Sequence, residues 1–263
     1  MKKNKLQIHK VIDESENFYT PKELIGDVPF RCLIVGKSHL SGKSNLVVNL
    51  ICKNEFYSKD FKGKNIFIIS KSLTTDPKIK KLVEFKEVPS QNLNEEFDED
   101  YLEAIYTLIE EEHQKNISEK KKVNFLFLFD DISFGGDLKS KHYGVISKIF
   151  SNGRHSNISC ILTSQKYTDI LVSARENSSM GFFFACSDKQ LEAINNDFNY
   201  YDNKKEFKSM FRMTTSEKHS FLFINFSNPS GLMYLNKDFE PIKFEDNKSL
   251  DKQSRLDKSS NHQ

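Results

Sequence analysis

Apolar residues in this chain fall into short continuous runs, with little of the strict alternation seen in half-exposed strands. Cys32 to Val35, Asn65 to Ser70, Val123 to Phe129, Ile158 to Thr163 and Gly181 to Cys186 each read as a strand buried on both faces. Helical patterns separate them. The clearest spans Asp98 to Asn116, where Tyr101, Leu102, Ile105, Leu108 and Ile109 keep helical spacing. Further helices are predicted from about Asn45 to Asn54, Lys78 to Phe85, Lys139 to Asn152, Lys189 to Phe198 and Lys204 to Phe211. For the second of these, Asp76 is the expected cap and Pro77 sits in the first turn. A short helical piece, Lys22 to Ile25, is expected between a Thr20 cap and a Gly26 stop. Val88 to Phe97 reads as irregular or a short strand, and residues 166–180 as a loop or short helix. Phe221 to Phe226 and Leu232 to Leu235 predict a hairpin around the turn Asn228-Pro229-Ser230-Gly231.

Strands that alternate with helices and are apolar throughout predict an α/β fold with a mostly parallel central sheet, flanked by helices and finished by a C-terminal β-hairpin. In such sheets a ligand binds at the carboxyl ends of the strands. The expected organisation is a lead-in over residues 1–29, one domain over 30–243, and a polar, disordered tail over 244–263.

Composition narrows the function classes. The chain has 263 residues, of which 29% are charged, yet the formal net charge is only +2. No global field for a polyanion follows from that balance, so nucleic-acid contact would need local patches. Lys59 to Lys64, Lys78 to Lys81 and Lys120 to Lys122 are the candidates. Cys32, Cys52, Cys160 and Cys186 lack zinc or disulfide spacing, and three of them fall in predicted buried strands, which points to a reducing compartment. The N-terminal stretch has no apolar run of signal-peptide length, and no run approaches the ~18 apolar residues of a membrane span.

Chemistry concentrates in Arg31 to Leu50. A buried strand, a loop, Gly42-Lys43-Ser44 and a helix follow one another, the context of a phosphate-binding loop. Unpartnered backbone N–H groups and the helix dipole favour an anion there. Ser41, Gly42, Lys43, Ser44 and Asn45 are the candidate nucleotide-binding residues, with Lys43 on the terminal phosphates and Ser44 on Mg²⁺. The spacing is irregular: the usual first glycine falls on Lys37, and Gly36 precedes it. Either the loop carries one extra residue or Lys37 replaces the glycine.

A second element, Phe125 to Asp131, runs a strand into two acids. Triphosphate hydrolysis needs a carboxylate beside Mg²⁺ and a group that polarises water; Asp130 and Asp131 are placed for those tasks in turn. Gln165 follows the next strand and could report the state of the γ-phosphate. Arg154, in Gly153-Arg154-His155, and Arg175 are candidates for stabilising transition-state charge.

Four blocks in this order, FRCLIVGKSHLSGKSNLV, FLFLFDDIS, SNGRHSNISCILTSQKY and ARENSSMGFFF, resemble the viral genome-packaging ATPases of the FtsK–HerA superfamily, in its poxvirus-type and virophage-type branch. The resemblance runs from about Phe30 to Leu235. It implies a RecA-like P-loop NTPase core of the ASCE class, ATP and Mg²⁺ as ligands, and a homo-oligomeric ring, commonly hexameric. It also implies double-stranded DNA as the polymer moved and a capsid portal or vertex protein as partner. Host cytoplasm or viral factory, and the virion, are the places implied. Residue by residue, it gives Lys43 and Ser44 the phosphate and metal roles, Asp130 the metal-side acid, Asp131 the water-polarising position where many relatives carry Glu, and Gln165 the sensor. It makes Arg154 the first choice for a trans-acting arginine and Arg175 the second. Two other readings stand beside it: a P-loop phosphotransferase such as a nucleotide kinase, and a structural relative that no longer binds nucleotide.

Overall fold

The computed structural model describes residues 20–38, 41–131, 144–201 and 203–242. Among these described residues eight strands form one sheet: β1 (Arg31–Val35), β2 (Ile66–Ser70), β3 (Leu93–Asn94), β4 (Phe125–Asp130), β5 (Ile158–Ser164), β6 (Met180–Phe184), β7 (Phe221–Asn225) and β8 (Tyr234–Leu235). Their order is β3-β2-β4-β5-β1-β6-β7-β8. Pairing is parallel from β3 to β6, and antiparallel between β6 and β7 and between β7 and β8. The helices are α1 (Lys43–Cys52), α2 (Pro77–Lys86), α3 (Glu99–Ser118), α4 (Gly144–Asn152), α5 (Val172–Glu176), α6 (Asp188–Phe198) and α7 (Lys204–Thr214).

Continuous apolar strands are explained by two cores, one on each face. Along β4, Phe125, Phe127 and Phe129 enter the core built with α3, α4, α6 and α7. Leu126 and Leu128 enter the other, built with α1 and α2. Successive residues of a strand point to opposite faces, so a strand covered twice favours apolar residues throughout, and the buried Ser159 of β5 is satisfied by accepting the Phe30 amide at 3.1 Å. The same division holds along β1, where Leu33 and Val35 face one core and Cys32 and Ile34 the other. Polar groups are therefore pushed to the strand ends.

The predicted Asp76 cap forms, and Asp98, expected only as the start of its helix, caps α3 in the same way. Asp76 accepts a hydrogen bond from the Lys78 amide at 2.8 Å, and Asp98 accepts one from the Tyr101 amide at 3.0 Å. The predicted hairpin is the β7–β8 pair, with a 3₁₀ turn at Ser230–Leu232. The short strand within 88–97 is β3. The predicted start of α4 at Lys139 lies outside the described residues.

Two expectations are corrected. Lys22 to Ile25 is a bend, because Thr20 and Val28 form an antiparallel bridge with amide-to-carbonyl bonds of 2.8 and 3.0 Å. Asp27 takes the Lys22 amide at 2.8 Å, and the Tyr57 hydroxyl donates to the Gly26 carbonyl at 2.6 Å. Ile25 and Val28 are thereby buried in the α1–α2 core. Cys186 lies beyond the end of β6 and is half-buried rather than inside a strand. All four cysteines are free. Among the described residues no helix is long and apolar enough to cross a membrane.

Phe127 is fully buried, with its ring 5.1 Å from Phe67 and 5.8 Å from Phe129. Phe127→Ala is expected to lower unfolding free energy by about 3–5 kcal/mol in chemical denaturation. A loss below ~1 kcal/mol would show that this layer does not carry the core.

Candidate active site

The carboxyl edge of the parallel strands gathers the polar groups that the two cores exclude. After β1 the chain turns at Gly36, whose amide donates to the Ser164 carbonyl at 3.0 Å. A Cβ on Gly36 would lie 2.6 Å from Ser41 Cβ and 2.9 Å from the Phe184 ring. The loop thus folds back onto Gly36, and Ser41 Oγ closes it by donating to the Lys37 carbonyl at 2.8 Å. Gly36, rather than position 37, is where a side chain cannot fit. That assigns the irregular spacing to one extra residue in the loop.

Gly42 takes a left-handed φ of 90° and opens α1 without a side-chain cap. No acidic residue sits in the first turn of α1. Its N–H groups and positive dipole end are therefore open to an anion. Lys43 is buried and donates from Nζ to the Gly36 carbonyl at 2.6 Å. Burial lowers its pKa from the ordinary lysine value, and the negative charges of Asp131 and Asp130 offset part of that shift. Ser44 is half-buried and Asn45 exposed on the same turn.

Asp130 ends β4 and is 4% exposed. Thr163 Oγ1 donates to its Oδ1 at 2.8 Å; Ser70 and Ser72 donate to its Oδ2 at 2.8 and 3.2 Å. Thr163 also accepts the Asp131 amide at 2.8 Å. Asp131, at a left-handed φ of 52°, turns its carboxylate to Gln165, whose Nε2 donates to Oδ2 at 2.6 Å. A cavity of about 570 Å³ joins these parts, with Lys43 and Ser44 on one wall, Asp130 and Asp131 on another, and Asp76 and Lys78 at the start of α2 on a third. The sheet order puts β5 between β1 and β4, so Gln165 stands between the loop and the acids.

Both candidate arginines lie elsewhere. Arg154 is exposed on a 3₁₀ turn, Gly153–Ser156, before β5; its Nε donates to His155 Nε2 at 3.4 Å. It sits at the amino edge of the sheet, about 20 Å from the carboxyl end of β5 at a rise of ~3.3 Å per residue. Arg154 therefore cannot reach the cavity of its own chain. Arg175 is committed to an ion pair with Asp197 at 2.8 Å and lies 5.1 Å above the Tyr167 ring. The Tyr167 hydroxyl donates to the same Asp197 carboxylate at 2.5 Å. Burial and the Asp197 carboxylate raise the Tyr167 pKa.

Comparison with known proteins gives the lineage. Residues 16–248 match the profile of the poxvirus A32 protein family. The chain belongs to that family. The resemblance drawn from the four sequence blocks is borne out. No curated protein sequence matches this A32-family chain. Among solved structures, the genome packaging NTPase B204 from Sulfolobus turreted icosahedral virus 2, in complex with AMP, is 14% identical. It superposes with a TM-score of 0.52 over 81% of this chain and 98% of its own. B204 from Sulfolobus Turreted Icosahedral Virus, described as a DNA-packaging ATPase, is 15% identical; its TM-score is 0.52 over 82% and 99%. These likenesses establish the P-loop ATPase fold of the A32-family chain.

Sequence reasoning missed Ser70, Ser72 and Thr163. A usable signal existed: Ser70 ends one apolar strand, and Thr163 sits near the end of another, at the level of the acids. The β2–β4 register sets Ser70 directly beside Asp130.

Thr163→Val keeps the shape but leaves Asp130 Oδ1 and the Asp131 amide without that partner. It is expected to cost about 2–3 kcal/mol in chemical denaturation, with Thr163→Ser recovering most of it. Equal stability of the valine variant and the wild type would show that the hydroxyl does not hold the acids.

Proposed function

We propose that this chain is an ATP-driven double-stranded DNA translocase that packages a viral or virus-like genome, hydrolysing ATP between subunits of a ring. The observation that carries the reading is the single cavity shared by Lys43, Ser44, Asp130 and Asp131, with Gln165 bonded to Asp131. Membership of the poxvirus A32 family supports it. So does the fold shared with B204, which is described as a DNA-packaging ATPase.

In this reading the amides from Gly42 to Asn45 hold the phosphate chain at the start of α1. The Lys43 ammonium leaves the Gly36 carbonyl for the terminal phosphate oxygens, a short exchange of partners within the same cavity. Asp131 accepts a proton from the attacking water, and Gln165 holds the Asp131 carboxylate in line. Ser44 and Asp130 offer oxygen donors suited to Mg²⁺, which characteristically shares its ligands with phosphate and water. Three of the roughly four lone-pair directions of Asp130 already accept hydroxyls, so Asp130 would hold the ion through the direction that is left or through a water. The ion would supply charge neutralisation on the β- and γ-phosphate oxygens.

The separation of Arg154 from its own cavity supports a role on the nucleotide of a neighbouring subunit. Arg175, held by Asp197, is the weaker choice. Lys59, Lys62, Lys64 and Lys120 to Lys122 are exposed on the loops entering β2 and β4, which are neighbouring strands. They bring positive charge to one edge of the domain, where phosphates of a duplex can be followed. Lys121 is paired to the exposed Glu119 at 2.5 Å, a contact of little energetic weight in water.

Steady-state hydrolysis tests the reading. ATP turnover is expected to rise on addition of double-stranded DNA and to fall at least ~100-fold in Lys43→Ala. An unchanged rate with and without DNA would contradict translocation. Replacing Lys120, Lys121 and Lys122 by Glu is expected to weaken DNA binding, measured by anisotropy, and to flatten its dependence on salt. Unaltered affinity and salt slope would remove this edge from the DNA path.

A further inference from the structure

We infer that the nucleobase of the substrate lodges in an aromatic pocket on the β6–β7 side of Gly42, against the His219 imidazole. This rests on reading the start of α1 as the phosphate site. The pocket has a volume of about 540 Å³ and shares Ser41, Gly42 and Lys78 with the phosphate cavity, so the two are continuous. Direction follows from the sheet order. The acids on β4 and Gln165 after β5 lie to one side of β1, while β6 and β7 lie to the other. A triphosphate whose terminal group points to Asp131 crosses the start of α1 and delivers its nucleoside toward β6 and β7.

What waits there is built for a flat ring. Phe184 meets Phe221 at 5.5 Å, and Phe56 meets Phe239 at 5.5 Å, forming an aromatic floor. His219 is exposed, and its Nδ1 lies 3.4 Å from where a Cβ on Gly42 would stand. The imidazole is therefore beside the point at which the phosphate chain ends. No carboxylate is among the described residues lining the pocket. Asn45, Asn49, Lys78 and Lys237 line it instead and offer polar groups to the edge of a base. Stacking sets the affinity, and stacking tolerates any base, because every base presents a π face.

Steady-state hydrolysis of ATP by the full chain, with inorganic tripolyphosphate as competitor, tests the assignment. His219→Asn removes the ring and suits the left-handed backbone at φ 67°. The KM for ATP is expected to rise about tenfold in His219→Asn, with tripolyphosphate inhibition within about twofold of wild type, and His219→Phe is expected to retain the wild-type KM. An unchanged KM in His219→Asn, or equal weakening toward ATP and tripolyphosphate, would overturn the base pocket while leaving the phosphate site intact. A wild-type chain that binds neither ATP nor tripolyphosphate would overturn both.

Discussion

A carboxylate taken out of water is costly unless donors meet it, and Asp130 is taken almost wholly out of water at the end of the most apolar strand. Thr163, Ser70 and Ser72 meet it, from β5, β2 and the loop after β2. One buried charge thereby ties three neighbouring segments at the same level and fixes the edge on which the site stands. Thr163 extends the arrangement by accepting the Asp131 amide, which turns Asp131 toward Gln165. Across the cavity, Lys43 is buried against the Gly36 carbonyl, where Asp130 and Asp131 help keep it charged. In the proposed reading, these hydrogen bonds within the fold hold the acids in place and lower the reorganisation the reaction requires.

Much of this was legible in the sequence, for a physical reason. Strands covered on both faces are apolar at most positions, so β1, β2, β4 and β5 announce themselves as nearly continuous runs. Their polar exits, Gly36, Asp130 and Gln165, announce the functional edge. The helix cap at Asp76 was legible because capping is local chemistry. The bend at residues 22–25 was not, because it depends on a bridge from Thr20 to Val28 and on Tyr57 from α1's far side. The hydroxyls around Asp130 were hidden because their partnership comes from the register of three strands rather than from spacing along one. The loop spacing was ambiguous until the contact of Gly36 with Ser41 showed where a side chain is excluded. Arg154 and Arg175 looked alike in sequence; the carboxylate of Asp197, far along the chain, separates them.

In the proposed reading, the distance between Arg154 and the cavity calls for a neighbouring subunit. Roughly 20 Å along β5 separates the two, beyond the reach of any side chain. Head-to-tail contact between identical subunits would set the amino-edge turn of one chain beside the carboxyl-edge cavity of the next, and repetition of such a contact gives a ring when its rotation closes.

Mixing two inactive variants tests that claim most directly. Lys43→Ala retains Arg154, and Arg154→Ala retains the phosphate loop. If ATP is hydrolysed between subunits, equal mixing restores the full constellation at roughly a quarter of the interfaces, and DNA-stimulated ATP turnover returns. A mixture as inactive as either variant alone, under conditions where both assemble, would contradict the account.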